Sequence, residues 1–246
     1  DVLARFMVAT NNSPAPSRGY IITVDVLQVL GEPPGPELYR VLRTALDEQQ
    51  EFDEARQAAQ DTGVLPAFDT LQRTPRDMLG YRYDPEEEDF LSAMSTLFGR
   101  MMERFVALNY EAFGRGLKIV VFPEGTRSRR LGRGRPGLAQ MAARTGAAII
   151  PIGCNGSDLV YPGDSPLSRG GEIVYRVGEP LRPDGDLAPF QIDDDFRPFT
   201  AEADPYAEQF EEMTDLVMDR IESLLDERHR PAEDARPTVE GARRFV

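Results

Sequence analysis

Apolar positions along this chain fall into two periods. Phe90 to Phe113 places Leu91, Met94, Leu97, Met101, Phe105 and Leu108 at helical spacing. Tyr206 to Arg228 does the same with Phe210, Met213, Val217, Ile221 and Leu224. The polar face of this second helix is acidic, the wrong sign for anionic lipid, so its apolar face is read as packed on a core. Pro36 to Gln57 reads as one helix, and Leu138 to Arg144 as a short helix capped by Gly146. Asp1 to Thr10 clusters its apolar residues as a short helix does. Four segments read as strands: Tyr20–Val24, Ile119–Phe122, Ala148–Ile152 and Ile173–Val177. Two of these, Ile119–Phe122 and Ala148–Ile152, lack alternation, the pattern of strands covered on both faces.

Between these elements lie Asn11–Arg18, Gly31–Gly35 and the Pro/Asp-rich residues 178–204, all read as loops. Residues 58–90 read as an irregular polar insertion ending in the acidic run Asp84–Asp89. The expected architecture is a mixed α/β domain over residues 1–228, a mostly buried sheet flanked by helices. Residues 229–246 read as a charged, disordered tail that includes the lone histidine, His229.

Composition narrows the function. The 246 residues carry 28 basic and 42 acidic side chains, a net charge of -14. That balance argues against general nucleic-acid binding, which needs an excess of cations to displace counterions. The single cysteine, Cys154, excludes an internal disulfide framework and a cysteine-based zinc site, and it is expected to be buried and inert. No apolar run of about 18 residues occurs, so no helix is read as crossing a bilayer. The sequence opens at Asp1 without methionine and is expected to be the downstream part of a longer protein.

Against this acidic background, residues 115–144 form a basic island. It holds Arg115, Lys118, Arg127, Arg129, Arg130, Arg133, Arg135 and Arg144, with Glu124 the only acidic residue. Such an island attracts an anionic substrate. At its centre a strand-like run ends in a turn, Phe122-Pro-Glu-Gly-Thr-Arg-Ser128. Gly125 permits close backbone approach, Thr126 and Ser128 add hydroxyls, and Arg127 supplies a planar fork for a phosphate. Glu124 either meets ligand hydroxyls or holds the turn together. The run Gly132-Arg-Gly134-Arg-Pro-Gly137 has the spacing of a dinucleotide fingerprint, but it does not follow a strand directly and Pro136 interrupts it.

Residues 122–128 resemble the most diagnostic block of the glycerolipid acyltransferase family, the 1-acylglycerol-3-phosphate O-acyltransferase type. Arg135–Ala139, Ile149–Ile152 and Val174–Pro180 continue the resemblance, which is weaker over residues 1–31. It implies transfer of a fatty acyl group from acyl-CoA or acyl carrier protein to an anionic lysoglycerophospholipid acceptor, in phospholipid biosynthesis. It implies acceptor binding by Glu124, Gly125, Thr126, Arg127 and Ser128. It requires no cofactor beyond the thioester co-substrate and no metal. It places the protein peripherally on the cytoplasmic face of a membrane.

The family's base is a His-x4-Asp motif whose histidine takes the acceptor's proton. The sequence departs from it here. Asp1 is read either as that motif's aspartate, with the histidine five residues upstream and outside this sequence, or as an ordinary helix N-cap. On the first reading this chain alone is expected to be inactive. The alternative is a catalytically silent lipid- or thioester-binding relative.

Overall fold

The computed structural model describes residues 14–125, 128–161 and 169–231. The Asp1–Thr10 helix and the disorder expected beyond residue 231 lie outside the described residues. The described residues divide into two compact units, Pro14–Ala107 and Leu108 onward.

The first unit is mainly helical. Helices α1 (Pro14–Leu30), α2 (Pro36–Asp47), α3 (Phe52–Asp61) and α4 (Leu65–Arg73) precede a small hairpin, and α5 (Phe90–Gly114) follows it. The hairpin pairs β1 (Arg76–Met78) antiparallel with β2 (Tyr81–Tyr83), Arg76 opposite Tyr83. The expected strand Tyr20–Val24 is instead the middle of α1. Its β-branched residues favour a strand locally, but Ile21, Ile22, Asp25 and Val26 are all buried, and that spacing is one helix face. The expected helix Pro36–Gln57 is two helices. Gln49 adopts a positive φ of 51°, and Gln50 N–H donates to Ala45 O at 2.9 Å, which ends the first of them. Nor is 58–90 irregular, since it holds the end of α3, all of α4 and the hairpin. The Gly31–Gly35 loop and the helix from Phe90 form as expected.

A buried ion pair holds this unit together. Asp25, 1% exposed, accepts from Arg76 Nε at 2.8 Å and Nη2 at 2.7 Å. Arg76 Nη1 donates to the carbonyls of Leu71 and Thr74. The same guanidinium lies 4.8 Å from the Tyr83 ring centroid and 5.1 Å from that of Phe90. Tyr83 O–H donates to Gln72 O, and burial pushes this phenol up to about 12. Gln72 Oε1 in turn accepts from Phe90 N–H, while Asp89 caps α5 by accepting from Leu91 and Ser92 N–H.

In the second unit, α6 (Gly137–Thr145) ends at Gly146 in the left-handed conformation, as expected. Strand β3 (Ile152–Asn155) pairs antiparallel with β4 (Val174–Val177), and Ile149 forms an isolated bridge with Leu181. A short helix, α7 (Ser157–Val160), lies between the two strands in sequence. Helix α8 (Ala207–Ser223) packs Phe210, Met213 and Val217 against Ala139, Ala142, Ile149, Leu187 and Phe196. The expectation of a core-facing helix here holds.

The mostly buried sheet does not form among the described residues, which hold two separate two-stranded sheets. Residues 119–122 have no regular secondary structure and sit in no described ladder, with Val120 69% and Phe122 58% exposed. Ile152 and Val177, opposite one another on β3 and β4, are also exposed. An apolar run signals burial only where a second layer covers it, and no described layer does so here.

Candidate anion-binding turn

The turn begins where the apolar run 119–122 ends. Gly125 N–H donates to Phe122 O at 3.0 Å, closing a β-turn with Pro123 in its second position. Gly125 has φ 66°, a conformation that favours glycine. Glu124 Oε2 then accepts from Gly132 N–H at 2.6 Å and from the Ser128 hydroxyl at 2.8 Å. The same hydroxyl lies 2.6 Å from Arg130 O. Arg135 N–H donates to Pro123 O at 2.8 Å. Glu124 thus folds residues 128–132 back over the turn, so the role of holding the turn together is visible in its bonds.

The glycine-rich run has a packing role. A Cβ on Gly134 would lie 2.5 Å from Thr214 Cγ2 and 2.8 Å from Met218 Cγ, both on α8. Only glycine lets the loop pass this close to the helix. That need accounts for Gly134 without a dinucleotide.

Part of the basic island is already neutralised. Arg115 pairs with Glu111, Arg133 with Glu211 and Arg144 with Asp195. Arg130 Nη1 donates to Arg230 O at 3.1 Å. Lys118 and Arg129 are exposed, and neither has a carboxylate partner among the described residues. Ser128 is exposed beside Arg129. Thr126, Arg127 and Asp1 lie outside the described residues.

His229 is not a solvated tail residue. It is 6% exposed, and its Nδ1 lies 2.8 Å from Arg129 O. Gly156 N–H donates to its Nε2 at 3.2 Å. Its backbone carbonyl accepts from Leu131 N–H at 2.8 Å. Asp158 Oδ1 stands 3.6 Å from Nε2, and Arg228 Nη2 donates to Asp158 Oδ2. Around it, Asn155 Oδ1 accepts from Asp226 N–H, and Arg176 binds both Leu224 O and Asp226. Residues 224–230 are therefore fastened to β3, β4 and the 128–132 loop. The sequence carried no local signal for this, because the partners lie 70 to 100 positions away.

Cys154 is half-buried rather than fully buried. It faces Tyr175, whose phenol is raised by the nearby Cys154 through charge and a hydrogen bond.

The exposed cations Lys118 and Arg129, close in sequence to this turn, are suited to an anionic headgroup. Comparison with known proteins gives this chemistry a class. Residues 89–155 match the family model described as Acyltransferase. Together with the similarity that follows, this makes part of the chain similar to the glycerolipid acyltransferase family. It is 34% identical over 74 residues to the chloroplastic 1-acyl-sn-glycerol-3-phosphate acyltransferase LPAT1 of Arabidopsis thaliana. That stretch is 29% of this chain and 21% of the relative, so the chain spans about a fifth of the relative's length. No solved structure matches.

Proposed function

We propose that this chain is the acceptor-binding part of an O-acyltransferase of glycerolipid synthesis. It moves a fatty acyl group from acyl-CoA or acyl carrier protein to an anionic lysoglycerophospholipid. The observation that carries the reading is the 122–125 turn, which falls within the matched residues and is tied to the 128–132 loop by Glu124. Arg127 and Ser128 bind the acceptor phosphate, and Gly125 and Thr126 contribute to the same acceptor site. Glu124 shapes the turn and contributes its remaining acceptor capacity to hydroxyls. Asp1 orients a histidine base upstream of it. The acyl product is insoluble in water, so the enzyme works peripherally at a membrane surface, on its cytoplasmic face. No helix among the described residues is long and apolar enough to cross one.

The test is acyl transfer by the intact protein from acyl-CoA to lysophosphatidate. Arg127→Ala removes a charge-assisted fork and should raise the acceptor KM by roughly 10- to 100-fold, leaving the thioester KM nearly unchanged. An unchanged acceptor KM would remove Arg127 from the site.

One observation favours a second reading, a binding relative without catalysis. The only histidine in the sequence is His229, and both of its ring nitrogens are engaged in hydrogen bonds within the fold. It offers no base. A histidine five residues before Asp1 in the intact protein favours the enzyme; its absence favours the binding relative.

A further inference from the structure

We infer that His229 is the positioning residue of the anion-binding turn, acting through the carbonyl of Arg129. The inference rests on the reading of residues 122–128 as an anion site. The loop 128–132 has no regular secondary structure to fix it. It is held by hydrogen bonds to residues outside it instead. At its far end, Gly132 N–H is bound by Glu124. At Arg129 and Leu131 it is bound by one residue, His229, which takes the Arg129 carbonyl with its ring and the Leu131 N–H with its backbone oxygen.

The hydrogen-bond inventory fixes the ring's tautomer. A carbonyl can only accept, so Nδ1 carries the proton toward Arg129 O, and Nε2 accepts from Gly156 N–H. The imidazole therefore bridges α7's first turn to the loop. Arg130 adds a parallel tie by donating to Arg230 O, and Arg230 Nε donates to Leu225 O.

The consequence reaches the ligand. Turning the Arg129 peptide reorients the amides next to Ser128 and swings the exposed Arg129 guanidinium. A loop held from both sides gives up less conformational freedom when an anion binds at Ser128 and Arg129, so it binds more tightly. His229 never touches the ligand.

The two ring nitrogens can be separated by substitution. Asparagine places an amide N–H near the position of Nδ1 and keeps the Arg129 bond. Glutamine reaches the position of Nε2 and serves only Gly156. His229→Asn, His229→Gln and His229→Ala are each titrated with sn-glycerol 3-phosphate by calorimetry on the complete chain at low salt. His229→Asn should bind within about threefold of the parent chain, while His229→Gln and His229→Ala should bind about tenfold more weakly, the loss expected for one hydrogen bond. The Asn and Gln variants each lose one side-chain bond, so similar melting temperatures for the two would exclude folding as the cause of a difference. Equal affinity of the Asn and Gln variants, weakened or not, overturns the positioning role while leaving the anion site standing. No binding by the parent chain overturns the anion site, and the positioning role with it.

Discussion

The two units use a carboxylate among donors for opposite ends. In the first, Asp25 and Arg76 close on each other below the surface, with side chains 1% and 5% exposed. Every donor direction of Arg76 that the structure fills goes to Asp25 or to a local carbonyl, and two rings cover its faces. In the second, Glu124 also takes two donors, but both come from its own loop, and cations stay at the surface. A fully spent guanidinium is structural. An exposed guanidinium beside a braced loop can still bind something. Net charge and motif spacing do not separate the two cases; the partners do.

The largest expected effect breaks the first arrangement. Arg76→Met leaves Asp25 as a buried carboxylate without its partner and should cost about 3–5 kcal/mol in urea unfolding. Arg76→Lys should recover only part of this, because an ammonium cannot reproduce the fork that spans both Asp25 oxygens and the Leu71 and Thr74 carbonyls. A loss below about 1 kcal/mol for Arg76→Met would mean that the pair is not the unit's anchor. The corresponding change in the second unit, Glu124→Ala, strands the Gly132 N–H and should cost about 1–3 kcal/mol. Unlike the Arg76 variants, it should also weaken glycerol 3-phosphate binding. Equal binding would separate the brace from the site.

How much of this was legible depends on where each residue's partners lie. Helices α5, α6 and α8 were readable because their periodicity and, for α6, the Gly146 cap are local. The segment Tyr20–Val24 was misread because β-branched propensity spoke louder than the Ile21, Ile22, Asp25, Val26 face, and a buried Asp25 hides from any apolar count. The short hairpin at 76–83 was hidden because its strands are only three residues long and Arg76 is held by Asp25 of α1, 51 positions away. Residues 119–122 have the composition of a buried strand, but burial depends on a covering layer that composition cannot supply. The 122–128 turn was legible as a motif, because its residue types are themselves the chemistry. The brace was not, because Ser128 and Gly132 reach Glu124 only after the loop folds, and His229 arrives from 100 positions away.

Gly134→Ala probes a tighter contact in the second unit. Its Cβ would press on Thr214 and Met218, and overpacking of this kind costs about 1–3 kcal/mol. Met218 can move more easily than Thr214, so the loss should fall toward the lower end. A companion Thr214→Ser, which removes the Cγ2 that the new methyl meets, should restore part of it. Non-additivity in this double substitution would confirm that the glycine is kept for the loop's approach to α8.

The smallest effect on stability sharpens the comparison most. Arg133 and Glu211 form an ion pair at 3.2 Å with both side chains 58% exposed. Such pairs contribute about 0–1 kcal/mol, so Glu211→Gln should leave the unfolding midpoint almost unchanged. The substitution nevertheless removes a negative charge next to the basic island and frees one guanidinium. If the island attracts an anion through its field, glycerol 3-phosphate should associate faster in this variant at low salt, and the gain should vanish as the Debye length falls to about 3 Å near 1 M salt. Arg76 has no such counterpart, since its field is spent on a buried carboxylate. A gain that survived high salt would point to a direct contact by Arg133 instead of attraction at a distance.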